Sequence, residues 1–514
     1  PDLRRRRAGA SGGVSADPVE LELSSAAGRW VLAAAVLGSA IAAIDSTVVG
    51  IALPAIGRNF SLPVSSLQWV VTSYLVSLAG LLLVGGALGD RYGRRRIFVI
   101  GVTWFAVSSL LCALAPDVDA LIAGRALQGV GAAMLTPGSL AILQASFRPD
   151  DRPRAIGAWS GLGGVATAVG PFAGGILISA VSWRLIFLIN LPLAVAVVVL
   201  ATRHVPETRD PDAAGPVDVL GAVLVTVGLV GLAGALIEAP GVGWSSASVM
   251  AMLVVAVVAF GAFLVAERRQ RHPMLPLDLF RSLQFTATNA VTFVVYAALG
   301  GALFLLPVQL QQVSHYTPLE AGTSLLPLTA VMLALSARSG ALAARIGPRL
   351  QMAVGPVVVG VGMVLLRLIG PSGDYVTEVL PGVVVLALGL AITVAPLTST
   401  ALSSAPVEHA GVASAFNNDV ARAGGLVAVA LLPALSGLSG DSYLHPAHFT
   451  AGFRHAVVVA GAAAACGGIL AALSVRNPSP ALRARSQGRA RAPMCCPLEA
   501  TPLGQATQVA ARRS

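Results

Sequence analysis

Over its 514 residues the chain is 55% hydrophobic and only 11% charged, with a mean hydropathy of +0.79, whereas water-soluble domains carry about a quarter of charged residues. That balance excludes a soluble globular domain and places the chain in a membrane. The formal net charge is +10 and all 34 basic residues are arginine; they are spread over loops, which argues against a nucleic-acid surface, where they would gather in one patch.

Residues 1–29 carry DLRRRR at 2–7, with no apolar run directly behind the bases. The first apolar run is long for a signal peptide and no A-x-A site follows closely, so the segment reads as a cytoplasmic tail. An α-helix needs about 20 apolar residues to cross about 30 Å of hydrocarbon. Six such runs come first, at 30–52, 66–88, 97–115, 119–146, 155–179 and 183–202. Two follow at 217–239 and 246–266, and six more at 285–311, 320–344, 351–370, 376–402, 410–437 and 453–475. None alternates with period two, so helices rather than a barrel must satisfy the backbone in lipid. The fold class is all-α: a polytopic membrane protein with fourteen transmembrane helices. Residues 476–514, rich in Arg, Ala and Pro, read as a disordered tail.

On this map 27 of the 34 arginines lie in tails and loops on the side shared by both termini. Three (Arg58, Arg184, Arg454) lie on the opposite side and four (Arg125, Arg338, Arg367, Arg422) inside helices. The positive-inside rule then puts both ends in the cytoplasm, as an even number of spans requires. Cys112, Cys466, Cys495 and Cys496 have neither metal-ligand nor disulfide-framework spacing. The seven histidines lie in or beside loops and form no cluster. GLGGVA at 161–166 fits a dinucleotide fingerprint, but it sits inside an apolar span with no strand before it. No cofactor, metal or catalytic chemistry is implied.

The stretch GALGDRYGRRR at 86–96 returns as GALAARIGPRL at 340–350, with Gly86, Leu88, Arg91, Gly93 and Arg95 matched by Gly340, Leu342, Arg345, Gly347 and Arg349 at a constant offset of 254. Each copy ends the second helix of a six-helix set. The expected organisation is an N-terminal bundle over 30–202, two inserted helices and loops over 203–283, and a C-terminal bundle over 284–475. A duplicated bundle with a substrate path between pseudo-symmetric halves is the plan of an alternating-access transporter. Ala344 stands where the first copy has Asp90, so the charged device belongs mainly to the first half.

Four motifs make this specific. GALGDRYGRR (86–95) is similar to the loop signature after helix two of the major facilitator superfamily, and LIAGRALQGVGAA (121–133) resembles its helix-four motif. AVGPFAGG (168–175) resembles the helix-five antiporter motif, and AIDSTVVGIALPAI (43–56) the helix-one motif of the fourteen-helix drug:proton antiporter group. WRLIFLINLP (183–192) and LPVQLQQVSHYTPLEAGTSLLP (306–327) are weaker matches; Gln311 in the latter is taken as a further path residue. Gly50, Ala166 and His315 depart from the group's usual Asn, Gly and Gly. The resemblance implies a monomeric, proton-coupled exporter of organic compounds in the inner membrane, with a small-molecule substrate, protons and the lipid bilayer as its partners. An uptake symporter of the same fold, and a membrane-embedded enzyme or sensor, are the alternatives.

Asp45 lies about fifteen residues into the first helix, roughly 22 Å along at 1.5 Å per residue. No neighbouring turn offers it a cation. A carboxylate there is costly to keep ionised, so Asp45 is expected to gain and lose a proton as its cavity opens to each side; the alternative is an acid that ties two helices together. Arg125 has no acid one turn away and cannot shed its charge, so it must find acceptors or a wet cavity facing the path, with Gln128 on the same face. The resemblance implies a role for this Arg in proton coupling. Asp419 and Arg422 are three residues apart on one face, close enough to pair, which would hold Asp419 ionised; a structural ion pair and a substrate contact are both open for them. Asp90 ends a helix whose dipole disfavours an anion there; its partner is either Arg94 or a helix N-terminus of the other half, and the resemblance implies a latch comprising Gly86, Asp90, Arg91, Gly93 and Arg94. Gly86 and Gly93 are expected to permit close approach and a tight turn. Gly170 and Gly174 flank Pro171 in a G-x-x-x-G step suited to a closely packed, bendable gate helix.

Overall fold

The computed structural model describes residues 21–210, 217–270, 273–405, 410–440, 442 and 445–477. The first twenty residues, the tail from residue 478 onward, Cys495, Cys496, His272 and His409 lie outside the described residues. Among the described residues, fourteen helices are long and apolar enough to span a membrane. The first set is α1 (Ala26–Phe60), α2 (Val64–Tyr92), α3 (Arg94–Leu114), α4 (Val118–Ser146), α5 (Arg152–Ala180) and α6 (Leu185–His204). The inserted pair is α7 (Val219–Val242) and α8 (Ala247–Arg269). The second set is α9 (Leu283–Val313), α10 (Pro318–Ile346), α11 (Arg349–Leu368), α12 (Tyr375–Ser403), α13 (Ala410–Leu435) and α14 (Pro446–Ser474).

The helices outrun the hydrophobic stretches that announce them, α1 reaching Phe60 rather than residue 52. Polar residues past the hydrocarbon stay helical until a cap ends the run. Asp117, Asp218 and Ser282 each accept a backbone N–H two or three residues into α4, α7 and α9, and Thr317 with Glu320 forms a capping box at the start of α10. His448 and His455 fall within α14 rather than in loops. His315, where the resemblance leads one to expect glycine, takes a φ of 56°, a left-handed conformation that His tolerates better than most side chains.

The second set repeats the packing of the first. α4 lies against α2 and α3, α1 against α5 and α6, and α3 against α6; correspondingly α12 lies against α10 and α11, α9 against α13 and α14, and α11 against α14. The repeat extends to single atoms. Gly93 (φ 114°) and Gly347 (φ 92°) turn the chain between the second and third helices of each set. The amide of Arg95 donates to Glu207 Oε1 at 3.1 Å and the amide of Arg349 to Asn477 Oδ1 at 3.0 Å. The two matched guanidiniums then reach the closing segment of their own set, Arg95 at Val205 O (3.2 Å) and Arg349 at Ala472 O (2.7 Å). A Cβ on either glycine would collide with those same acceptors.

Between sets, α5 meets α10, α2 meets α13 and α1 meets α9, the pattern a two-fold relation would give. The inserted pair packs on itself, and α7 also lies on α2 and α13. One buried apolar cluster runs through both sets at the ends of the helices away from the arginine-rich loops, joining Leu53, Leu67 and Phe187 to Leu305, Val308 and Leu432. Nearer those loops one cluster lies within the first set (Val31, Phe98, Leu143, Val197) and one within the second (Val291, Met352, Leu397), while a small cluster joins Val76 and Ala79 of α2 to Leu426 of α13 through Leu229 and Ala233 of α7. On the loop-side half of α5 a Cβ at Gly157, Gly161 or Gly163 would meet nothing within 4 Å.

Close helix contact here depends on glycine. A Cβ at Gly85 in α2 would run into the Ala133 carbonyl of α4, whereas one at Gly261 in α8 would meet open space. Gly85→Ala is therefore expected to destabilise the fold by about 1–3 kcal/mol and Gly261→Ala to be neutral or slightly stabilising. Thermal unfolding in detergent checks the contrast.

Candidate functional site

α1, α4 and α6 converge on Asp45, whose relative exposure is 1%. Arg125 Nη1 of α4 donates to Asp45 Oδ2 at 2.6 Å. Asp45 Oδ1 accepts from Gln128 Nε2 at 2.8 Å and from Asn190 Nδ2 at 3.1 Å. Ser109 Oγ on α3 accepts from the same two amides, at 2.7 and 3.2 Å. Arg125 has further partners: its Nε donates to Val70 O at 3.2 Å, its Nη1 to Gln128 Oε1, and its Cζ stands 4.3 Å over the Tyr74 ring. Ser109, Arg125, Gln128 and Asn190 are all buried. Two nearby polar atoms, Tyr74 Oη and Asn190 Oδ1, are buried without a hydrogen-bond partner.

One expectation is thereby corrected and one open alternative decided. Asp45 is not solitary: its cation comes from a residue 80 positions away, which no inspection of neighbouring turns could reveal. Arg125 has found acceptors, not a wet cavity, and lies inside the first set with 1% exposure. The converse holds on α13, where the candidate Asp419–Arg422 pair does not form among the described residues. Asp419 Oδ1 and Arg422 Nε are instead buried without partners. Spacing of three puts two residues on one face, but neighbouring helices decide which way each side chain turns. Gln311 bridges the sets, its Nε2 donating to Ile51 O of α1 at 2.9 Å.

Asp90 takes the first of its two candidate partners. Arg94 Nη2 lies 2.7 Å and Nε 2.8 Å from Asp90 Oδ1, within the first set. Arg91 stacks over Tyr92 at 5.4 Å. Gly93 makes the tight turn as expected, but the close approach assigned to Gly86 belongs to Gly85: a Cβ on Gly86 would sit 3.7 Å from Pro137, an ordinary contact. In α5, Gly170 and Gly174 seat the helix on Thr47 and Val48 of α1, while Pro171 and Gly175 face Gly322 and Leu319 of α10 in the other set. The helix-five motif thus packs one way within its own set and the other way across the divide.

Asn190, Ser109 and Tyr74 were missed by the sequence reading. Asn190 had a signal, a lone amide in the apolar run WRLIFLINLP; a serine and a tyrosine in apolar helices have none.

The model of the Major Facilitator Superfamily matches residues 35–429. The chain belongs to the Major Facilitator Superfamily. It is 36% identical over 410 residues to the Tetracenomycin C resistance and export protein of Streptomyces glaucescens, covering 79% of this chain and 75% of that one. It is 36% identical over 433 residues to the Methylenomycin A resistance protein of Bacillus subtilis, covering 82% and 90%. With the Multidrug efflux pump LfrA of Mycolicibacterium smegmatis it shares 34% identity over 405 residues, covering 78% and 80%. The fold matches the bacterial homologue of the lysosomal transporter Spinster, solved in an inward-facing, unoccupied conformation, with a TM-score of 0.64 at 18% identity over 89% of this chain and 100% of that one. As a member of this superfamily the protein is a multi-pass membrane transporter that handles small molecules.

Removing one member of a buried ion pair leaves the other uncompensated, at a cost of about 3–5 kcal/mol. Arg125→Met is expected to lose that much stability, and Asp45→Asn combined with Arg125→Met to regain part of it. Denaturant unfolding in detergent measures both; a double variant no more stable than the single one would contradict the pairing.

Proposed function

We propose that the protein is a proton-coupled antiporter that exports organic compounds, drugs or metabolites, from the cytoplasm across the inner membrane. In this reading the sets over 30–202 and 284–475 rock against each other, with 203–283 inserted between them. The observation that carries the proposal is the Asp45–Arg125 pair, an ionisable couple buried within one rocking body and held by side chains from four helices. Ionisable groups within membrane spans are expensive and mark ion and proton pathways.

Each partner has somewhere to go when the pair opens. Arg125 keeps Val70 O, Gln128 Oε1 and the Tyr74 ring. A protonated Asp45 needs an acceptor, and Asn190 Oδ1, now unsatisfied, provides one once its amide turns over. Proton uptake by Asp45 thus replaces its bond to Arg125, and the helices carrying the two groups are freed to shift. A group that exchanges a cation for a proton couples proton flow to helix movement, and it does so without a cofactor.

The shared cluster around Leu53, Phe187 and Leu305 and the Pro171–Gly322 contact seal the end away from the arginines. The unfilled space beside Gly157 to Gly163 supports an opening on the arginine-rich side, which the positive-inside rule makes cytoplasmic, along with both termini. In the opposite state Asp90 would leave Arg94 for a partner across the halves and latch the cytoplasmic side. A monomer suffices for this cycle. The names of the relatives, resistance, export and efflux proteins, support the outward direction.

Purified protein in liposomes under an imposed pH difference tests the proposal. Substrate movement opposed to proton flux is expected, and Asp45→Asn should lower pH-driven transport at least tenfold; same-direction movement, or Asp45→Asn transport that still tracks the pH difference, would overturn it.

A further inference from the structure

A second site lies apart from the Asp45 network. A half-open cleft of about 310 Å³ lies between α2 of the first set, the inserted α7 and α8, and α9 and α13 of the second. Its walls are almost wholly apolar: Phe260 and Phe263 of α8, Phe293 of α9, Phe416 of α13, Leu229 of α7 and Gly80 of α2 are among them. Asp419 is the single charged residue in the lining. Its Oδ1 is buried and accepts no hydrogen bond, and no arginine lies within ion-pair distance of it among the described residues. Arg422, one turn further along α13, is not part of the lining. Asp45, Arg125, Gln128, Asn190 and Gln311 are likewise absent from it.

A buried carboxyl oxygen with no partner is a costly arrangement that a bound cation would relieve. Phenylalanine faces attract organic cations whose charge is spread and weakly hydrated. The apolar wall excludes a small inorganic cation, which would have to exchange its water shell for one oxygen. The geometry points to a binding site for a flat aromatic organic monocation, with its charge at Asp419 and its rings among the four phenylalanines. The inserted pair thereby acquires a role: α7 and α8 complete a pocket that twelve helices alone would leave without its outer wall. That such a cation is cargo rests on the export reading; that it binds here does not.

Ethidium serves as the probe, its fluorescence rising in an apolar site, with 6-phenylphenanthridine as a largely uncharged analogue at neutral pH. Binding is measured at equilibrium with the full-length protein in nanodiscs and no gradient, so a failure of proton-coupled export leaves this reading untouched. Asp419→Asn is expected to raise the ethidium Kd at least tenfold while changing that of the analogue less than twofold, which also reports on folding. Asp419→Glu should restore ethidium binding, and Ala423→Phe, which fills the cleft, should weaken both compounds. Ethidium binding that is unaffected by Asp419→Asn, or that survives Ala423→Phe, would place the cation elsewhere and overturn the assignment.

Discussion

An ion pair withdrawn from water has to be satisfied on every side, and much of the first set is arranged to do this for Asp45 and Arg125. Taking two charges out of water costs several kcal/mol each, and their mutual attraction offsets that only with good geometry and further hydrogen bonds. Those bonds come from α2, α3, α4 and α6, so the relative positions of these helices are tied to the state of one carboxyl. In a medium of low dielectric such a network is stable when complete and costly when one bond is missing. A change of protonation at Asp45 therefore has structural consequences that a surface carboxyl would not have.

Helices in lipid gain little from burying apolar side chains against one another, because the tails are equally apolar; they associate through close contact and polar bonds. Gly85 against Ala133, Gly175 against Leu319 and Gly360 against Gly461 are such contacts. They divide by function. Gly85 and Gly360 bring helices together within a set. Gly175 and Gly322 bring the two sets together. The rocking proposed for this protein needs both kinds.

The inserted pair obeys the same physics with a different result. α7 rests on α2 and α13, helices from opposite sets, and leaves a cleft beside them. That cleft is lined by phenylalanine and by a carboxyl to which no side chain among the described residues donates a hydrogen bond. Two acidic residues within membrane helices thus have opposite surroundings. Asp45 is saturated with internal donors, while Asp419 faces a cleft with none.

Much was legible in the amino-acid order because it depends on local or bulk properties. Apolar runs of sufficient length dictate helices in a medium that tolerates no unpaired backbone group, and the distribution of arginine over loops gives the orientation proposed for them. The matched copies at 86–96 and 340–350 announced two sets, since the turn at Gly93 or Gly347 requires a residue that accepts a positive φ wherever it recurs. Chain position could not say which charges meet. Asp45 and Arg125 pair across 80 residues because α1 and α4 cross inside the bundle, and Asp419 and Arg422 remain apart at a separation of three because the helices packed on α13 turn them different ways. Helix formation is settled between a residue and its solvent, whereas the fate of a buried charge is settled by whichever distant side chains the packing brings within about 3 Å of it.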